Sequence, residues 1–267
     1  MYDKINQTAE YIKQHTAIRP TTAVILGSGL GNFADNIEIE TRIAYKDIPN
    51  FPLSTVKGHK GELLFGKIGD KQLVCMQGRF HYYEGYSMQQ VTFPIRVFKA
   101  LGVELLIVTN ASGAVNPAYQ VGDIMLINDH INLMPNPLIG PNDERLGTRF
   151  PSMSTIYDKK LLQQAHEIAK ARNIKLQEGV YVGTSGPSFE TPAEYKFFRT
   201  IGADTVGMST VPEVIVASHS QMRVFGMSVI SNVFKETDIA DCTYEEVLQG
   251  VAKAGNLMSE LVKDLIA

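Results

Sequence analysis

"MQQVTFPIRVFKALG" (88–102) runs into "ELLIVTN" (104–110), and this pair decides the fold class. In the first stretch Val91, Ile95, Phe98 and Leu101 recur at three- and four-residue spacing. They share one face of a predicted helix, which Gly102 stops. Pro94 has no amide hydrogen and predicts a kink inside it. The second stretch is a short unbroken apolar run, the pattern of a buried strand, and the small residues "ASGA" after it read as a loop.

The alternation continues in both directions. "TAVIL" (22–26), "KQLVCM" (71–76), "DIMLIND" (123–129), "GVYVGTSG" (179–186), "DTVGM" (204–208) and "RVFGMSVIS" (223–231) read as further strands. "DKKLLQQAHEIAKARN" (158–173), "TPAEYKFFRTIG" (191–202), "VPEVIVASHSQM" (211–222) and a final segment from about Tyr244 read as helices. Thr191 and Pro192 supply the N-cap and first-turn residues of one of them. Residues 131–153, rich in Pro, Asn and Gly, show no periodicity, which favours a functional loop over a linker. With no repeat or low-complexity tract, residues 1–267 are expected to form one α/β domain with a mainly parallel or mixed sheet. Ligands of such folds gather at the carboxyl ends of strands.

Bulk properties narrow the function classes. Lys and Arg number 25 against 28 Asp and Glu, a net charge of −3, and the cations are scattered. A nucleic-acid groove needs a basic face, so no polymer partner is expected. Two cysteines, Cys75 and Cys242, cannot build a disulfide framework and fit a reducing cytosol. The N-terminal "MYDKINQTAEYIKQHT" has no apolar signal core, and no apolar run is long enough to span a bilayer. A cytoplasmic location without a membrane partner follows as the expectation.

The polar loops after strands carry the chemistry. "LGSGLGNF" (26–33) is no dinucleotide fingerprint, since Asn32 stands where the third glycine belongs, and no Gly-Lys-Ser/Thr closes a Walker loop. Its backbone N–H groups and Ser28 suit an anion, and equally a tight strand-to-helix turn. None of the six histidines has a metal-binding spacing, so no metal is expected. In "GRFHYYEGY" (78–86) Arg79 suits bidentate contact with phosphate or carboxylate, and Glu84 is spaced to orient His81. A surface Arg–Glu pair with tyrosines covering a sheet edge is the competing account. Glu190, in "GPSFETPAEY" (186–195), either caps the following helix or acts beside Phe189 as an acceptor for a planar heterocycle. Met208 and Ser209 close one strand, and Asn232, an amide that both donates and accepts, closes another.

Five stretches, "GSGLG", "GRFHYYEGY", "TNASGAVNP", "GPSFETPAEY" and "VGMSTVPEV", resemble in order and spacing those of the trimeric purine nucleoside phosphorylases, and the likeness spans essentially the whole chain. The resemblance implies a mixed, partly barrel-like sheet flanked by helices, and a homotrimer. It implies that Ser28, Arg79, His81, the Ala111 backbone and Ser209 hold phosphate, with His59 of "VKGHKGE" on a nearby loop. It implies ribose contacts from Tyr83 and Met208, with Tyr181 near the sugar. Phe189, Glu190 and Asn232 would hold the purine, and Phe150 would close the pocket of a neighbouring subunit. At the position before "EEV", where family members often carry a histidine, this chain has Tyr244.

The implied reaction is reversible phosphorolysis of inosine and guanosine or their deoxy forms, with catalysis from Asn232, Glu190 and His81. Phosphate is a co-substrate and no cofactor is expected. Asn232 suits a 6-oxo purine, where an aspartate would suit a 6-amino one. The rivals are a methylthioadenosine phosphorylase, a hydrolytic nucleosidase and a non-catalytic nucleoside-binding regulator.

Overall fold

Short aliphatic and β-branched runs become nine strands of one sheet in a computed structural model of the chain, which describes residues 1–28, 30–56, 59–235, 243–252 and 254–267. Gly29 of the glycine loop, residues 57–58 of "VKGHKGE", 236–237 and Cys242 lie outside the described residues. The strands are β1 (Thr22–Ile25), β2 (Glu38–Ala44), β3 (Glu62–Ile68), β4 (Lys71–Gln77), β5 (Leu105–Ala114), β6 (Ile124–Asn132), β7 (Leu176–Gly183), β8 (Thr205–Gly207) and β9 (Arg223–Val233). Their order is β2-β3-β4-β1-β5-β8-β7-β6-β9, and a further β5–β9 pairing closes the last five into a ring. Parallel pairs (β1 with β4 and β5, β5 with β9, β6 with β7, β7 with β8) mix with antiparallel ones. The sheet is thus mixed and partly barrel-like, as the family resemblance implied.

Among the described residues eight α-helices cover it: α1 (Tyr2–His15), α2 (Met88–Val91), α3 (Phe93–Ala100), α4 (Lys159–Ala171), α5 (Pro192–Thr200), α6 (Val211–His219), α7 (Tyr244–Ala252) and α8 (Gly255–Ile266). The helix expected over 88–102 is two pieces. Pro94 has no N–H for the carbonyl four residues back, and the chain breaks at Thr92 instead of bending. The last helix is likewise divided, into α7 and α8. Thr191 caps α5 in a full capping box with Glu194, as its sequence predicts.

The most consequential difference concerns "ASGA" (111–114). These residues extend β5, pairing with Val229–Val233 of β9 and with Val206 and Thr205 of β8. Small side chains suit a strand hemmed in by two neighbours. A bulge between Ser112 and Gly113 re-aims its end. β2 and β3 were not anticipated. Fully buried Ile25, Phe65, Leu106, Val108 and Phe225 fill the core around the sheet. The ends of β1, β4, β5, β8 and β9 then meet at one place.

Candidate active site

Those strand ends line a cavity of about 420 Å³. β1 brings Ser28 through the turn at Gly27. A Cβ on Gly27 would lie 2.7 Å from the Asn110 Cα, so only glycine lets β1 end this close to β5. The loop after β4 brings Arg79, His81 and Tyr83, and β5 brings Ala111. Met208 and Ser209 follow β8, Phe189 and Glu190 precede α5, and Asn232 ends β9. Tyr244, left unassigned by the sequence, stands in the same wall.

Arg79 is 1% exposed. Its Nε donates to Glu213 Oε1 (2.9 Å), and Nη1 donates to the Thr109 carbonyl (2.8 Å) and Ser209 Oγ (3.2 Å). Nη2 is buried and finds no partner among the described residues. A guanidinium held at two nitrogens with a third unmet is a preorganised anion donor. A surface Arg–Glu pair, the competing account of "GRFHYYEGY", does not describe this geometry, since Arg79 pairs with Glu213 in the interior.

Glu84 serves His81 as its spacing predicts: Oε1 lies 3.1 Å from Nδ1 and accepts from the His81 backbone N–H at 2.7 Å. Burial alone would raise the Glu84 pKa, but hydrogen bonds from His81 and Thr55 outweigh it and hold the carboxylate at about 2. Burial lowers the pKa of His81. A neutral ring that donates Nδ1–H to Glu84 leaves Nε2 as an acceptor. The rings of His81 and Tyr83 stack at 4.6 Å.

Asn232 Oδ1 lies 2.8 Å from the Ser231 hydroxyl, whose one hydrogen it shares with the Ser112 carbonyl at 3.0 Å, which leaves its NH₂ as the group to offer a ligand. Gly113 faces that amide, and a Cβ there would crowd Nδ2 at 3.1 Å. Burial raises the pKa of Glu190, opposed by a hydrogen bond from Tyr195.

Three further expected site residues do not line this cavity. Tyr181, expected near the sugar, is fully buried behind the wall, where its hydroxyl accepts from the Ser209 N–H at 3.4 Å. It shapes the site without lining it. Phe150 is 85% exposed beneath the Arg149 guanidinium and does not line its own chain's cavity. His59 braces the Arg79 backbone, whose N–H donates to Nδ1 at 3.3 Å, and its ring stacks on His81 at 5.5 Å.

Burial, reinforced by the nearby His81 and Arg79 charges, pushes the His59 pKa from 6.5 down to about 4. The unfolded chain therefore binds this proton first as pH falls. The stability His59 contributes is complete above about pH 6.5 and disappears as pH drops through about 4. In urea unfolding between these pH values, His59→Gln should lose less stability than the parent chain. An equal loss would remove His59 as a source of the acid sensitivity.

Several participants escaped the sequence. Glu213 was quoted within "VGMSTVPE" but given no role, although a single acid in the apolar run "VPEVIVA" signals a buried partner. Asn110, Ser112 and Ser228 carry no local signal, because only the β5–β9 register brings them together, and Thr210 joins them from the turn before α6. A larger cleft, about 760 Å³, lies along α4, but its His166 and Asn128 are already paired with Glu178 (2.7 and 2.9 Å). Among the described residues no group of three or more His, Cys, Asp or Glu is placed to hold a metal, and no helix is long and apolar enough to cross a membrane.

Comparison with known proteins adds the chemistry. A sequence model of the phosphorylase superfamily matches residues 21–267. Purine nucleoside phosphorylase 1 of Bacillus subtilis is 53% identical over 268 residues, covering 100% of this chain and 99% of the relative. A crystal structure of Schistosoma mansoni purine nucleoside phosphorylase in complex with adenosine superimposes with a TM-score of 0.94 at 41% identity, covering 99% of this chain and 96% of that one. The Schistosoma mansoni enzyme in complex with inosine gives 0.93 at 40% identity, covering 99% and 95%.

Proposed function

The chain belongs to the phosphorylase superfamily, and on that premise we propose that it catalyses reversible phosphorolysis of purine nucleosides, giving free purine and α-ribose 1-phosphate. One observation carries the assignment of parts. A single cavity holds an anion grip at Arg79, Ser28 and Ser209 together with an amide, a carboxylate and an aromatic ring at Asn232, Glu190 and Phe189. Arg79 touches Thr109 and Asn232 faces Gly113, four residues further along β5, a separation of about 13 Å at ~3.3 Å per residue. Phosphate, pentose and purine fit in line over such a span.

Phosphate is itself the nucleophile, so no second protein carboxylate need flank the sugar as in glycosidases. Arg79 and the two serines hold it beneath C1′, which makes the attack effectively intramolecular. The Nε2 acceptor of His81 matches the one hydroxyl of monohydrogen phosphate. Tyr83 and Met208 border the pentose, with Ala111 in the wall between the two ends. As the C1′–N9 bond lengthens, negative charge builds on the purine, and the Asn232 NH₂ meets it at N7 and O6. Ionised Glu190 accepts from the ring N–H groups. Its raised pKa means that this function fails, on acidification, at a higher pH than for an ordinary carboxylate.

The same proposal assigns the assembly. Phe150 would close the pocket of a neighbouring copy in a trimer, a reading supported by its exposure and its distance from its own cavity. The scarcity of cysteine supports a cytoplasmic setting. No resident cofactor is called for, since phosphate enters as a substrate.

Hypoxanthine release from inosine, followed with and without phosphate, tests the reaction. Release should depend on phosphate, and adenosine should turn over more slowly. Release without phosphate would make the chain a hydrolase, and equal or faster adenosine turnover would favour the methylthioadenosine type. Turnover is the discriminating measurement, because a relative has been crystallised with both nucleosides.

A further inference from the structure

We infer that a buried relay, Ser112–Ser228–Asn110–Thr210, fixes the direction in which Ser209 donates its proton and so prepares the site for phosphate. The inference rests on Ser209 being a phosphate ligand, as proposed above. All four relay residues are at most 3% exposed, so their hydrogens must be satisfied within the protein.

Each link follows from what its neighbours can donate. The Asn110 Nδ2 donates to Thr210 Oγ1 at 2.9 Å, which turns Oδ1 toward Ser228. Ser228 donates its single hydrogen to that oxygen at 2.6 Å. The contact between Ser112 and Ser228, 2.5 Å, must then run from Ser112. At the other end Thr210 Oγ1 has accepted from Asn110, and its hydrogen goes to Ser209 Oγ at 3.1 Å. Were Ser209 to donate backward instead, the Thr210 hydrogen would be buried with no acceptor among the described residues. Arg79 only donates, so its Nη1 also gives to Ser209 Oγ. With two donors aimed at that oxygen, the hydrogen of Ser209 is left for the cavity that Ser209 lines.

The backbone carries an independent mark of the same device. Thr210 has φ 70° and ψ −55°, and the Val211 N–H donates to the Ser209 carbonyl at 2.7 Å. This is a strained γ-turn with a β-branched residue at its centre, a conformation that persists only where surrounding contacts hold it. The Asn110 amide is the contact that grips Thr210. Strand register sets the grip, since Asn110 stands opposite Ser228 in the β5–β9 ladder. A rigid polar spine, with Asn110 and Ser112 in the cavity wall and Ser228 and Thr210 behind it, thus points one hydroxyl at the place where a phosphate oxygen would arrive.

The test is steady-state phosphorolysis of inosine at varied phosphate, with Ser209→Ala as control and thermal melting to follow folding. Ser228→Ala, which does not line the cavity, should raise the KM for phosphate about tenfold, the scale of one hydrogen bond to a charged group. The KM for inosine should stay close to that of the parent chain. If Ser228→Ala does not fold, Thr210→Val removes the hydroxyl that donates to Ser209 and should shift the phosphate KM in the same direction. A relay variant that folds but leaves the phosphate KM unchanged, or moves both KM values together, overturns the relay while Ser209→Ala still raises the phosphate KM. If Ser209→Ala itself leaves the phosphate KM unchanged, the ligand assignment of Ser209 falls, and the relay with it.

Discussion

Asn232→Ala is expected to lower kcat for inosine phosphorolysis by about 10²–10³-fold, the scale seen when one preorganised donor to developing charge is removed. Asn232 ends β9 inside the cavity with its Oδ1 engaged by Ser231, so its NH₂ is fixed before substrate arrives. Charge reaches the purine N7 and O6 only as the glycosidic bond breaks, so the contact is worth more in the transition state than in the ground state. The loss should therefore fall on kcat, with KM for inosine little changed. Asn232→Asp should be worse for inosine, because an acceptor would face a 6-oxo group, and should narrow the gap to adenosine. Steady-state kinetics with both nucleosides measure this. A near-normal kcat for Asn232→Ala would take Asn232 out of the mechanism.

How far the sequence reached depends on whether a signal was local. Strand ends with polar loops were legible because apolar runs stop abruptly at "GSG", "GRFH" and "MST", so Ser28, Arg79, His81 and Ser209 could be singled out in advance. β2 and β3 were missed because "EIETRIA" and "ELLFGKI" carry charges within or beside the strand. "ASGA" was taken for a loop because small residues mark loops and tightly enclosed strands alike, and only its β8 and β9 partners decide between them. That Tyr181 is buried behind the cavity wall, its hydroxyl against the Ser209 N–H, was not legible because a resemblance fixes sequence position but not which side of a wall a ring occupies. The Arg79–Glu213 pair spans 134 positions, so no window of sequence contains it.

Glu213→Ala should destabilise the fold by about 3–5 kcal/mol, the cost of leaving a buried partner charge uncompensated. The pair is nearly sealed, with side-chain exposures of 1% for Arg79 and 4% for Glu213, so water cannot replace the missing carboxylate. Glu213 lies in the first turn of α6, where the helix dipole also favours its charge. Glu213→Gln keeps an acceptor for the Arg79 Nε while removing the charge, and should fall between the parent chain and Glu213→Ala. The double variant Arg79→Met with Glu213→Leu replaces both charges by apolar groups and should recover much of the stability. It should nevertheless not use phosphate, because the guanidinium that grips the anion is gone. Urea unfolding of the four proteins, with phosphorolysis assayed on each, separates the two roles of the pair. A loss below about 1 kcal/mol for Glu213→Ala, the range of exposed pairs, would mean that water reaches the guanidinium and that Glu213 does not hold it.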